Sequence, residues 1–189
     1  MKLKNASDIR KMIEEDEWMM ELLKAAQQLN LPDWWICAGF VRSKIWDVLH
    51  DFNERTLLAD IDVIFFDPTN TKEEEEKKLE ERLKSLTPNI PWSVKNQARM
   101  HSINNLPPYS SAEEGIANFP ETVTALGVKL DNLNKVILVA PHGIKDVIHL
   151  EVRPTPLFLT TTTLREVYEE RVRKKDWVAT WELLKIFHS

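Results

Sequence analysis

A chain of 189 residues, 43% hydrophobic and 29% charged, with a net charge of −5, is sized for one soluble globular domain. It carries no global field that favours a polyanion, which argues against a dedicated DNA- or RNA-binding module while leaving room for a locally basic cleft. The single cysteine, Cys37, excludes an internal disulfide, and no Cys/His spacing resembles a zinc site, so a reducing, cytoplasmic setting is expected. No apolar run approaches the roughly 18 residues of a membrane span, and the polar start of the chain lacks the apolar core of a signal peptide.

From Ser7 to Asn30 apolar residues recur at helical spacing (Ile9, Met12, Ile13, then Met19, Met20, Leu22, Leu23, Ala26). Asn5 or Ser7 can cap the start, Pro32 stops continuation, and Glu15-Asp16 predicts a break into two helices. Trp34 to Ala38 reads as a buried strand ending in a turn at Gly39, and Phe40 to Phe52 as a helix with Arg42, Lys44 and Asp47 off its apolar face. Leu57 to Asp67 holds the strongest strand signal, Ile61-x-Val63-Ile64-Phe65-Phe66, closed by Pro68. A charged helix is expected over Thr71–Leu86 with a Thr71-x-x-Glu74 capping box. Then come a short strand at Trp92–Val94, a loop over Asn104–Tyr109, and a short helix opened by Ser111-x-x-Glu114. Strands are expected at Lys135–Ala140 and Val147–Val152, followed by helices over Thr162–Lys174 and Asp176–Phe187. The fold class is α/β (α+β), one mixed sheet flanked by helices. Residues 1–189 read as a single domain, with a helical element at 1–31 and a helical tail at 160–189.

Two local patterns bear on chemistry. Asp60-Ile61-Asp62 opens the strongest strand, and residues two apart in an extended chain share a face. Two carboxylates are thus presented together, as one hard cation such as magnesium prefers, and phosphoryl transfer uses such a cation to neutralise charge on oxygen. The turn Ala38-Gly39-Phe40-Val41-Arg42 joins a buried strand to a helix. Its glycine admits close backbone approach, its helix start offers amides to phosphate, and Arg42 can add a charge-assisted contact. Gly39 stands about twenty residues before Asp60, room for one helix and a return to a neighbouring strand, so both patterns can face one cleft.

Together these residues resemble the glycine-turn and Asp-x-Asp signature of the polymerase-β nucleotidyltransferase superfamily. The tRNA nucleotidyltransferases and poly(A) polymerases in it carry a similar Gly-x-Val-Arg turn. The segment Asn96-Gln97-Ala98-Arg99-Met100-His101 is similar to one in a bacterial nucleotidyltransferase-like family, and the resemblance covers most of residues 34 to 155. It implies a mixed sheet, metal chemistry with Mg2+ (or Mn2+), and a nucleoside triphosphate donor. Asp60 and Asp62 would be the catalytic metal ligands, and Gly39, Phe40 and Arg42 would bind the nucleotide. Two departures stand out. The turn has Gly39-Phe40 where Gly-Gly or Gly-Ser is frequent. The strand near Trp92–Asn96 offers no third carboxylate, although Asp67, Asp146 or Glu151 could substitute from elsewhere.

Asn96, Gln97, Arg99 and His101 gather polar groups after a short strand and are secondary cleft candidates, with Arg99 suited to phosphate. The basic run Arg171–Lys175 reads as a solvated helix end, His142 and His149 as structural or exposed, and Cys37 as an inert core thiol. The resulting expectation is a metal-dependent nucleotidyltransferase acting on a hydroxyl acceptor, a small molecule being slightly favoured over nucleic acid by the acidic charge. The alternatives are a catalytically inactive nucleotide-binding module and a partner-binding protein displaying Trp34, Trp35 and Trp92.

Overall fold

The structure is a computed structural model that describes residues 3–189. In chain order its elements are α1 (Ala6–Glu14), α2 (Glu17–Gln27), β1 (Trp35–Cys37), α3 (Gly39–Leu49), β2 (Ile61–Phe65), α4 (Glu73–Leu86), β3 (Trp92–Asn96) and α5 (Gln97–Met100). These are followed by α6 (Ala112–Ala117), β4 (Gly127–Leu130), β5 (Val136–Val139), α7 (Lys145–Ile148), β6 (Glu151–Val152), α8 (Thr162–Lys175) and β7 (Lys185–Ile186). Five strands form one mixed sheet in the order β3-β2-β1-β4-β5, with β2 and β3 parallel and the other pairs antiparallel. The α/β expectation holds, helices flanking a mixed sheet.

Alternation along the strands builds two unequal faces. Ile36, Ile61, Val63, Phe65, Trp92 and Val94 point into the main core under α1, α2, α3 and α4. Trp35, Cys37 and Ile64 point the other way, into a thin layer closed by Ala112 and Ile116 of α6. Asp62, two residues before Ile64, belongs to this thin side. A carboxylate there stands at the edge of a small apolar cluster instead of inside the main core.

Local chemistry sets the boundaries. The Asn5 side chain accepts from the Ser7 and Asp8 amides, and Asp16 caps α2 through the Met19 amide at 3.0 Å, which is the break expected between the two helices. The Thr71 capping box does not form: Lys72 occupies the N-cap of α4 without a side-chain bond. Strand β4 has no counterpart among the expected elements. Val147–Val152 is a helical turn, a positive-φ Leu150 and only two strand residues. Instead of a last helix, Asp176–Phe187 forms a 3-10 turn and strand β7, which pairs in parallel with β6. Asp176 sits in the left-handed region (φ 42) and ends α8.

The exposed tryptophan patch is also corrected. Trp34, Trp35 and Trp92 are all buried, with Trp92 Nε1 donating to Thr87 Oγ1 at 3.0 Å and Lys129 Nζ 4.1 Å from the Trp35 ring. Arg42 and Asp47, assigned off the apolar face of α3, are buried as well. Asp47 accepts from the Thr56 amide (2.9 Å) and hydroxyl (2.7 Å) and from Trp181 Nε1 (2.9 Å). One carboxylate thereby ties the loop before β2, and the segment after α8, to α3.

Candidate active site

Strand β1 delivers the chain to Ala38, whose backbone adopts φ 55 and ψ −119 before α3 begins at Gly39. That left-handed conformation favours glycine. It turns the chain sharply, so the first turn of α3 opens beside β2, where Cys37 pairs with Asp62. The Val41 and Arg42 amides bond to Ala38 O, which leaves those of Gly39 and Phe40 ahead of the first intrahelical bond. A Cβ at Gly39 would meet only Arg42 Nη2 and the Leu58 side chain, at 3.6 and 3.8 Å. The Phe40 side chain takes no part in the cleft; it is buried against Trp18, ring centroids 6.0 Å apart. Only its amide faces the turn.

Asp62 is partly buried and Asp60 exposed. Burial, with the Asp60 charge beside it, pushes the Asp62 carboxyl up to about 6, against the favourable pull of Ser93, Arg171 and Lys175. The same two charges help push the buried Cys37 thiol well up, leaving it inert. A divalent cation fits this pair: two hard oxygen donors on one face, whose repulsion it would relieve. Among the described residues no group of three or more His, Cys, Asp or Glu side chains is gathered for a metal. The remaining coordination would therefore come from water and phosphate oxygens.

Two lobes of a cleft meet at Ala38, Asp62 and Arg171. The first, about 390 Å³, runs from Asp60 past the α3 start and is lined by Arg42, Arg171 and Lys175. Here Arg42 is buried under three indoles, its guanidinium carbon 4.8, 4.7 and 5.6 Å from the ring centroids of Trp46, Trp177 and Trp181. Its Nη2 donates to Ser43 Oγ at 3.0 Å, while Nε is buried without a partner. Burial lowers the guanidinium to about 10 although the Glu121, Asp60 and Asp47 charges pull upward. A buried cation with no carboxylate in contact is expensive unless an anion completes it.

Arg171 and Lys175, read from sequence as a solvated helix end, line this lobe from α8. Their spacing of four residues puts both on one helical face. The signal was in the run itself, but nothing local showed which face α8 would turn to the sheet. Arg171 is held by the fully buried Glu121, Nε to Oε1 2.6 Å, whose other oxygen accepts from Thr124 Oγ1 at 2.7 Å.

The second lobe, about 320 Å³, extends along the sheet face past Ile64 to Lys95 and Gln97. The Asn96–His101 segment divides here. Asn96 is structural: its Oδ1 accepts from the Asp67 and Ala98 amides, and its Nδ2 donates to the carbonyls of Asp67 and Asn70. Arg99 turns away from the cleft to the buried Glu76, Nε to Oε1 2.7 Å, and does not line either lobe. Gln97 does line the second lobe, while His101 sits behind it, edge-on to Tyr109 at 6.0 Å. Asp67 caps Thr69, Asp146 accepts from Thr122 Oγ1, and Glu151 pairs with Arg153; none lines the cleft as a third acid. Across from Asp62, β3 offers Ser93.

Comparison with known proteins agrees with this architecture. A family profile described as nucleotidyltransferase matches residues 24–186. A solved NMR structure, described as revealing a CCA-adding enzyme head domain, superposes with a TM-score of 0.89 at 36% identity, covering 99% of this chain and 98% of that one. The CCA-adding enzyme in complex with CTP matches at TM-score 0.60 and 15% identity, over 100% of this chain but 44% of that one. The Thermotoga maritima CCA-adding enzyme complexed with tRNA matches at 0.58 and 16%, over 98% and 43%. This chain thus spans less than half the length of those two enzymes, whose likeness is one of fold. No curated protein matches it. With a family match over most of its length and a relative sharing more than a third of its residues from end to end, the chain belongs to the nucleotidyltransferase family and has the polymerase-β-type fold.

Proposed function

We propose that the protein is a metal-dependent nucleotidyltransferase that moves a nucleotidyl group from a nucleoside triphosphate to a hydroxyl acceptor. The observation behind this reading is the convergence, in one lobe, of Asp60 and Asp62 with the first turn of α3, Arg42, Arg171 and Lys175. Asp60 and Asp62 would hold Mg2+ or Mn2+, which when bound supplies neutralisation of charge on the α-phosphate oxygens. The Gly39 and Phe40 amides would take the terminal phosphates, the helix start favouring anions. Arg42, whose Nε lacks a partner, would supply a fixed, dehydrated cation. Arg171 and Lys175 would steer and orient the phosphate chain. In the transfer, the acceptor oxygen forms its bond to the α-phosphorus as the bond to the bridging oxygen breaks. Pyrophosphate departs into the first lobe, and the hydroxyl proton passes to water.

Complexes with CTP and with ATP are described for CCA-adding enzymes of this fold, which supports a triphosphate donor here. A second reading, nucleotide binding without turnover, is favoured by one observation: β3 presents Ser93 and Lys95 where a third acid would activate the attacking hydroxyl.

Calorimetric titration of ATP, GTP, CTP and UTP, with and without magnesium, tests the donor site. Wild type should bind at least one triphosphate only with the metal, and the Asp60→Asn/Asp62→Asn variant should not. An Arg171→Ala/Lys175→Ala variant should weaken binding about tenfold or more, as loss of charge-assisted contacts implies. A folded wild type indifferent to all four triphosphates would sink the proposal. Release of pyrophosphate then separates the two readings.

A further inference from the structure

The second lobe is lined by polar groups that the fold leaves unanswered. Gln97 is only 3% exposed, yet its amide makes no side-chain hydrogen bond among the described residues, while its neighbours Asn96 and Arg99 are fully engaged. Helix α6 lies close over Gln97: a Cβ on Gly115 would come within 2.4 Å of Gln97 Oε1. Asn104 and Asn118 line the same lobe, likewise without side-chain partners among the described residues. Gln97 is almost fully buried and Asn104 and Asn118 are half-buried, and their amides are free to bond to a molecule that enters the lobe.

The lobe also has a spare cation. Lys95 stands on β3 two residues beyond Ser93, the register partner of Asp62, and so shares its face. Its nearest acid, Glu76, is 3.6 Å from Nζ, but Glu76 already holds Arg99 through both oxygens and accepts from the Asn96 amide. One carboxylate therefore serves two cations, and a full positive charge remains beside the lobe. Arg171, by contrast, is answered by Glu121. Tyr109 and Phe119 supply aromatic surface.

Topology says which reactant this lobe serves. In-line displacement puts the attacking and leaving oxygens on opposite sides of the α-phosphorus. With the departing pyrophosphate beside the α3 start, the acceptor enters from the other side of Asp62, over β2 and β3. We propose that the second lobe is the acceptor subsite and that it takes a small polyhydroxylated anion, such as a phosphorylated sugar or polyol. Lys95 binds the anionic group, and the amides of Gln97, Asn104 and Asn118 bind hydroxyls. Lys95 thus stands on the strand that lacks a third acid and selects an acidic acceptor. This inference rests on the donor reading of the first lobe for its direction, though the subsite itself can be tested alone.

The test is an amide NMR titration of the 15N-labelled protein with ribose 5-phosphate, glycerol 3-phosphate and uncharged ribose. A parallel titration uses Mg-ATP. Both phosphates should shift and saturate resonances of Lys95, Gln97, Asn104 and Asn118, with ribose about tenfold weaker. Lys95→Gln should weaken both phosphates about tenfold and leave ribose unchanged, and Asn118→Ala should weaken all three. The spectrum of each variant reports directly whether it is folded. No saturating shift in this lobe from either phosphate, or equal affinity in Lys95→Gln, overturns the proposal. So does displacement of ribose 5-phosphate by adenosine, which would make the lobe the nucleoside subsite of the donor. Loss of the Mg-ATP response at residues 39–42 with phosphate binding intact would instead refute the donor reading alone, leaving the anion subsite standing.

Discussion

Replacing Asp62 by Asn should make the metal-free protein more stable at neutral pH and no more stable in acid. Burial and the neighbouring Asp60 charge push the Asp62 carboxyl up to about 6 in the fold, from an ordinary value of 3.8. A raised folded pKa means that ionisation works against folding. The contribution of the protonated form is fully present below pH 4, is lost as pH rises through 6, and is gone above 7. The difference between the two values corresponds to about 3 kcal/mol. Because Asp62 keeps some exposure and solvent screens it, about 2 kcal/mol is the fairer expectation. For a chain of this length that is roughly 4–8 °C in Tm. Asparagine is neutral at every pH, so the gain should appear only where the wild-type carboxyl is charged. Thermal unfolding followed by circular dichroism in EDTA, from pH 4 to pH 8, measures the difference. Asp16 and Glu76, whose carboxyls are held low by Lys44 and Arg55 and by Arg99 respectively, titrate alike in both proteins and cancel. A Tm difference that is independent of pH, or a variant less stable at pH 8, would refute the reasoning. Adding Mg-nucleotide should reverse the order, since ligand at a hundredfold excess over Kd adds about 2.7 kcal/mol to wild type only.

Two further substitutions separate strain and structure from binding. Ala38→Gly removes a left-handed conformation (φ 55) from a residue with a Cβ and should stabilise the fold by about 1 kcal/mol after the extra entropy of glycine in the unfolded chain. A lower urea midpoint would contradict this. Arg99→Lys loses the forked contact with Glu76, itself 1% exposed, and should cost about 2–3 kcal/mol in urea unfolding. Nucleotide Kd should stay within twofold; a tenfold loss of affinity at unchanged stability would return Arg99 to the site.

What could be read from the chain alone follows the range of the interactions involved. Periodicity and local punctuation identified the strand with Asp60 and Asp62, the turn at Gly39, the paired N-terminal helices and the mixed α/β class, because each depends on residues within a turn or two. Where long-range contacts decide, the reading failed. Arg42 and Asp47 look solvated on a helical wheel, yet Arg42 is buried by Trp177 and Trp181, and Asp47 by Trp181 and the loop at Thr56, all outside α3. Val147–Val152 has strand composition, but Leu150 turns left-handed and the pairing with Lys185–Ile186 spans only two residues.

The Asn96–His101 segment shows the same limit within the site. Its polar residues all look available in one dimension. Asn96 and Arg99 are engaged by Asp67, Asn70 and Glu76, the last on a helix twenty residues earlier, so only Gln97 of the four reaches the cleft wall. Conversely, the tail helix brings Arg171 and Lys175 beside Asp62 because Glu121, itself held by the Thr124 hydroxyl, grips Arg171 from a different loop. A polar residue becomes a site residue when the fold leaves it without a partner, and that depends on the other residues of the chain. Arg42 Nε, buried without a partner in the first lobe, and the Gln97 amide, which lines the second without a side-chain hydrogen bond among the described residues, are groups that the fold leaves to be answered from the cleft.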